Sequence, residues 1–98
     1  ITREFFLGFV KIHVLYHAAK DRVYGVELTE ELARHGYSIW PGTLYPTLHK
    51  LEKAGYLECS SEVVNGKVRK YYRATALGVK TLEDARCRIN ELVREVMD

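Results

Sequence analysis

The sequence predicts a mainly α-helical domain with one small β-hairpin, and three observations carry that prediction. Apolar residues recur at helical spacing in four separate stretches. The segment 56–74 switches to strand-forming residues around Asn65-Gly66. The final stretch repeats its apolar residues every three or four positions. With 98 residues and 47% hydrophobic content, the chain is long enough for one packed core and too short for two. The expected order is helix, helix, turn, helix, hairpin, helix. That is a winged helix-turn-helix over residues 1–74, followed by a C-terminal dimerisation helix over residues 75–98 in the same structural unit.

Each element has a local cause. From Glu4 to Ala19 the apolar residues Phe5, Phe6, Phe9, Ile12, Val14, Leu15, Tyr16 and Ala19 cover more than one helical face, so this helix should touch two partners. Val26, Leu28, Leu32 and Ala33 fit a short second helix that Gly36 ends. Pro41 suits the first position of a third helix, because its missing N–H has no helical partner there. Leu44, Leu48, Leu51 and Ala54 supply that helix's inward stripe. Pro46 is tolerable only near the helix start. Tyr56 to Cys59 and Val68 to Tyr72 read as strands joined at Asn65-Gly66, a pair that favours tight hairpins. Thr75 can cap the fourth helix, whose Leu82, Ala85, Ile89, Leu92 and Val96 form a seam suited to a second copy of the chain.

The formal net charge of +2 is too small to mark a nucleic-acid partner, so the placement of charge must decide. Residues 57–74 carry Lys67, Arg69, Lys70 and Arg73 against Glu58 and Glu62, whereas residues 25–40 are net acidic. The cations gather at the hairpin. On the third helix the leucine stripe leaves Thr43, Pro46, Thr47, His49, Lys50 and Lys53 on or near the outer face. Thr43 and Tyr45 hydroxyls beside a helix N-terminus suit phosphate oxygens, and His49 and Lys50, one turn on, suit base edges. A basic hairpin tip alone is often only a solvated loop. Its conjunction with the helix-turn-helix order is what points to double-stranded DNA.

The run Trp40-Pro41-Gly42-Thr43-Leu44-Tyr45-Pro46-Thr47-Leu48-His49-Lys50-Leu51-Glu52-Lys53-Ala54-Gly55-Tyr56-Leu57 closely resembles the recognition-helix signature of the PadR family of bacterial transcriptional regulators. Gly66-Lys67-Val68-Arg69-Lys70-Tyr71-Tyr72-Arg73-Ala74-Thr75, followed by Gly78, resembles that family's wing, and Tyr24-Gly25-Val26-Glu27-Leu28 its second-helix opening. The resemblance implies a homodimer in which the fourth helix packs with the first helix of its mate, through Phe5 and Phe9 among others. It further implies recognition helices in successive major grooves of a palindromic operator, contacts to DNA that include Tyr24, and repression relieved by a small effector. Phe5, Phe6 and Phe9 offer more aromatic surface than one core face needs, so an apolar or aromatic effector is expected between the first and fourth helices. Trp40 departs from the small capping residue usual before Pro41. It is expected to pack on the second helix or meet a ligand, with Ser38 as a substitute cap.

Rival functions have weaker support. His13 and His17 lie one helical turn apart and could join Cys87 across a dimer as a metal sensor, but no CxxC or HExxH spacing exists, and neither metal nor cofactor is expected. A winged helix used purely for protein interaction needs no cationic tip such as Lys67, Arg69 and Lys70. An enzyme needs a nucleophile with its base, converging carboxylates or a phosphate loop, and Glu30-Glu31 and Glu83-Asp84 diverge as adjacent pairs on helices. Two irregularly spaced cysteines, Cys59 and Cys87, with no visible secretory leader predict free thiols in the cytoplasm, and no apolar run approaches the ~20 residues of a membrane span. The only methionine is Met97, so the given chain does not begin at an initiator methionine and is expected to lack upstream residues.

Overall fold

A computed structural model describes residues 2–98. It contains α1 (Arg3–Lys20), α2 (Gly25–Arg34), α3 (Pro41–Lys53), β1 (Leu57–Val64), β2 (Lys67–Ala74) and α4 (Ala76–Val96). Thr2 caps α1 by accepting from the Phe5 N–H. Thr75 caps α4 by accepting from the Gly78 N–H at 3.0 Å, and its hydroxyl donates to the Gly55 carbonyl at 2.6 Å. One side chain therefore ties the end of α3 to the start of α4. Close packing confirms that join, because a methyl group on Gly78 would lie 2.1 Å from the Tyr56 carbonyl oxygen.

The helices enclose one core. Val10, Val14 and Ala18 of α1, Leu28 and Leu32 of α2, and Leu44 and Leu48 of α3 are fully buried, and Leu15, Val23, Ile39, Leu51, Leu57, Tyr72 and Leu82 complete the cluster. Each such leucine contributes about 1.5–3 kcal/mol relative to an exposed one. The hairpin is a two-stranded antiparallel ribbon in which Val64 pairs with Lys67 and Leu57 with Ala74. Its turn residues Asn65 and Gly66 have φ of 52° and 78°, the left-handed pair that matches the twist of a two-residue hairpin.

Several expectations need correction. Both strands run longer than the sequence suggested, because pairing continues to the turn even where the side chains are exposed. Thr47 is buried rather than outward, since it lies three residues from Leu44 on the inward stripe; its hydroxyl donates to the Thr43 carbonyl at 2.8 Å. Leu82 is buried in the core of its own chain, because the first half of α4 packs on α1 and β2. Trp40 does not pack on α2 and is 78% exposed. The segment before α3 is extended, so burying Ile39 turns its neighbour outward. No side chain caps α3, so Ser38 does not substitute. Pro46 lies in the second turn, where its missing N–H concerns only the carbonyl of the exposed Gly42.

Candidate nucleic-acid interface

The inward leucines of α3 turn Tyr45, Pro46, His49, Lys50 and Lys53 to solvent and leave Thr43 half-buried. The helix is held at a fixed distance from α2 by a glycine contact. A methyl group on Gly25 would lie 2.4 Å from Tyr45 Oη, so the tyrosine ring rests directly on the first turn of α2. Tyr45 thus has a packing role beside any role in DNA contact.

The wing is fastened to the same place. Val23 and Tyr72 exchange two backbone hydrogen bonds, at 2.9 and 2.7 Å, which extend the ribbon by one bridge next to the start of α2. Beside this bridge four side chains pack in a row, two tyrosines between two arginines. The Arg69 guanidinium lies over Tyr24, 4.3 Å from the ring centroid; Tyr24 meets Tyr71 edge-on at 5.6 Å; and Arg22 lies over Tyr71 at 4.0 Å. Arg69 also donates to the Tyr71 hydroxyl at 3.4 Å, and Arg22 pairs with Glu62 on β1. Hydrogen bonding to Tyr71 pushes the Arg69 pKa further up, and hydrogen bonding to Glu62 does the same for Arg22. These cations are committed to the join between wing and body. The sequence reading missed Arg22, Tyr71 and Glu62, whose partners lie across the fold.

Lys67 and Lys70 are placed differently. Both are exposed on β2, and no salt bridge engages either among the described residues. Together with Tyr24, Gly25, Val26, Tyr45, Val64, Asn65, Val68 and Arg69, they border an open cleft of about 760 Å³ between the wing and the place where Tyr45 of α3 meets the start of α2. One wall is the start of α2 with Tyr45 of α3 laid against it; the other is a ribbon bearing lysines, while His49 and Lys50 lie outside the cleft on the exposed face of α3. This combination matches a reading helix beside a backbone-gripping wing.

The profile of the transcriptional regulator PadR-like family matches residues 14–84. The chain belongs to the PadR-like family. This PadR-like protein is 50% identical over 95 residues to the transcriptional regulator Rv3488 of Mycobacterium tuberculosis, covering 97% of this chain and 89% of the relative. The crystal structure of a PadR family transcriptional regulator from Eggerthella lenta superposes with a TM-score of 0.85 at 33% identity, over 95% of this chain and 82% of that one. A PadR-like transcription factor structure from Bacteroides fragilis gives the same TM-score at 26% identity, over 95% and 91% of the two chains. The fold is accordingly a winged helix, and the family is one of DNA-binding transcriptional regulators rather than enzymes. No helix among the described residues is long and apolar enough to cross a membrane.

Away from the cleft, this PadR-like regulator exposes a second surface. Phe5 and Phe9 on α1 are 64% and 50% exposed, and Ile89, Leu92 and Val96 on α4 also face solvent, with Ala85 half-buried. Phe6 does not join them, because its ring packs edge-on against Tyr37 at 5.4 Å. Within the chain, His13 and His17 are gathered with His35, the C-cap residue of α2. His35 carried no signal in the sequence, since only the α1–α2 packing brings it near.

Proposed function

We propose that this PadR-like regulator acts in the cytoplasm as a homodimeric repressor that binds a palindromic operator and is released by a small apolar or aromatic effector. The observation that carries the DNA part of this reading is the cleft bordered by the start of α2 and Tyr45 of α3 on one side and by Lys67 and Lys70 on the other, with the exposed His49 and Lys50 farther along α3. His49 and Lys50 read base edges from α3, with Thr43, Tyr45 and Pro46 at its entrance. Lys67 and Lys70 supply phosphate contacts, while Arg69 and Tyr24 chiefly fix the wing. In this division residues 1–74 engage DNA, and residues 75–98 bring two copies together.

The dimer part rests on exposed apolar surface. Phe5, Phe9, Ile89, Leu92 and Val96 are more large apolar groups than a single small chain ordinarily leaves to water. Pairing α4 of one copy with α1 and α4 of another buries them and leaves a lined space for an apolar effector. Sedimentation velocity tests this reading: a dimer is expected at micromolar concentration, and a chain that stays monomeric up to millimolar concentration contradicts it.

A further inference from the structure

We propose that His13, His17 and His35, together with Glu31, form a binding site for a divalent cation of the zinc class that joins α1 to the end of α2. Two pairs of residues, each spaced by four, face one another across the helix contact: His13 and His17 on α1, Glu31 and His35 at the end of α2. One nitrogen from each histidine lies within 4.8 Å of the other two. The His13 and His35 rings are 5.0 Å apart, those of His17 and His35 6.1 Å apart, and Tyr37 braces His13 edge-on at 5.0 Å.

The strongest sign of a missing partner is His17. Its Nε2 is shielded from solvent and has no hydrogen-bond partner among the described residues, a state that ordinarily costs a folded protein stability. Glu31 Oε2 lies 4.0 Å away, too far for a hydrogen bond and suitably placed to share an ion. The other carboxylate oxygen, Oε1, is held by Arg34, which fixes the orientation of Glu31. Burial is the main cause of lowered pKa values at His13 and His17, a shift in the direction of the neutral form that ligates.

Tetrahedral zinc with bonds of 2.0–2.1 Å needs donor atoms about 3.4 Å apart, so the widest histidine separation, no more than 4.8 Å, must close by at most roughly 1.4 Å. Rotation of His35, the exposed member, can supply that movement. Three imidazole nitrogens and one carboxylate oxygen select zinc, copper or nickel over magnesium or calcium, which prefer all-oxygen shells. The ion would clamp the C-cap of α2 just before the turn 36–40 that delivers the chain into α3.

The test uses the purified, tag-free chain with zinc alone in competition with a chromophoric chelator, so its outcome is independent of DNA binding. One zinc per chain is expected, with a rise in the thermal midpoint of about 10 °C at a hundredfold excess over the dissociation constant. Cobalt(II) should give the visible absorption of a four-coordinate site without thiolate charge transfer. H35Q, at an exposed position, should keep the metal-free midpoint and weaken zinc more than tenfold; H17Q should do the same to zinc affinity, and C87S should change nothing. Failure to hold zinc against the chelator, equal affinity in H35Q, or loss of binding in C87S would each overturn the site.

Discussion

The guanidinium of Arg69 lies over the ring of Tyr24, 4.3 Å from its centroid, and so joins the wing to the N-cap of α2. The wing is a two-stranded ribbon, which alone is only marginally stable in water. Its position relative to α3 therefore depends on this contact, the Arg22–Glu62 pair and the Val23–Tyr72 bridge. Exposed cation–π contacts contribute about 0.5–1 kcal/mol. Arg69→Gln should lower the thermal midpoint by only a few degrees yet weaken DNA binding severalfold, with the salt dependence unchanged. An equal loss of affinity and of salt slope would reassign Arg69 to the phosphates.

Tyr45 and Gly25 couple α3 to α2 in a way that separates folding from recognition. Gly25→Ala places a methyl group where the tyrosine ring now lies. The ring is the movable end of an exposed side chain, so it should swing toward the reading face of α3. DNA affinity is expected to fall more than stability. Gly78→Ala meets a backbone carbonyl instead and has no such escape, so it should destabilise the fold by several degrees in a melt whatever the DNA present. The opposite ranking in melting and binding assays would refute this distinction.

Leu82 and Leu92 occupy one helix but answer to different partners. Leu82 lies in the core of its own chain, whereas Leu92 is 59% exposed. Leu82→Ala should cost about 2–5 kcal/mol of stability. Ile89→Glu, and likewise Leu92→Glu, should leave the single chain folded and shift sedimentation toward monomer, because association would bury an unpaired charge. Dimers that persist in both variants would move the interface elsewhere.

The contrast between these leucines shows how far the sequence could be read. Element order, the Asn65-Gly66 turn, the Thr75 cap and the leucines of the α3 stripe depend on spacing within a few residues, and all four appear in the structure, whereas Ala54, the last member expected in that stripe, is the exposed C-cap of α3. Leu82 was misplaced because periodicity gives a helix its faces but not which neighbour covers each one; Thr47 shares the inward face of Leu44 although its side chain is polar, and Trp40 precedes α3 in extended chain, where helical spacing does not apply. The same limit hid His35 and the Arg22–Tyr71–Tyr24–Arg69 stack, whose members are distant in sequence and meet only after packing. Lys67 and Lys70 were legible because a tight turn fixes its own exposure.

Tyr72 gives the fold a signature at high pH. Burial, reinforced by Cys59 and Glu52, pushes its phenol up to about 12 from an ordinary value near 10. Between those values the unfolded chain ionises this tyrosine while the folded chain keeps it protonated, so stability should decline as pH rises from about 10 to about 12. Absorbance titration should show one tyrosine ionising last. Tyr72→Phe keeps the ring in the core and should reduce this alkaline loss; a variant with an unchanged pH profile would point to another group.

The most direct measurement for the whole account is a salt titration of binding to duplexes selected by the protein from a random pool, alongside scrambled duplexes. Wild type should bind with affinity that falls steeply with salt and should prefer the selected sequence. Replacing Lys67 and Lys70 with glutamine removes four cations from a dimer, so the slope of log affinity against log salt should flatten by about 3–4, on selected and scrambled DNA alike. Lys50→Ala should instead cost about 1–3 kcal/mol on the selected site and much less on the scrambled one. A wing variant with full affinity and slope, or a wild-type chain that binds no duplex in a salt-dependent way, would contradict the reading of α3 and the wing as the DNA-binding surface.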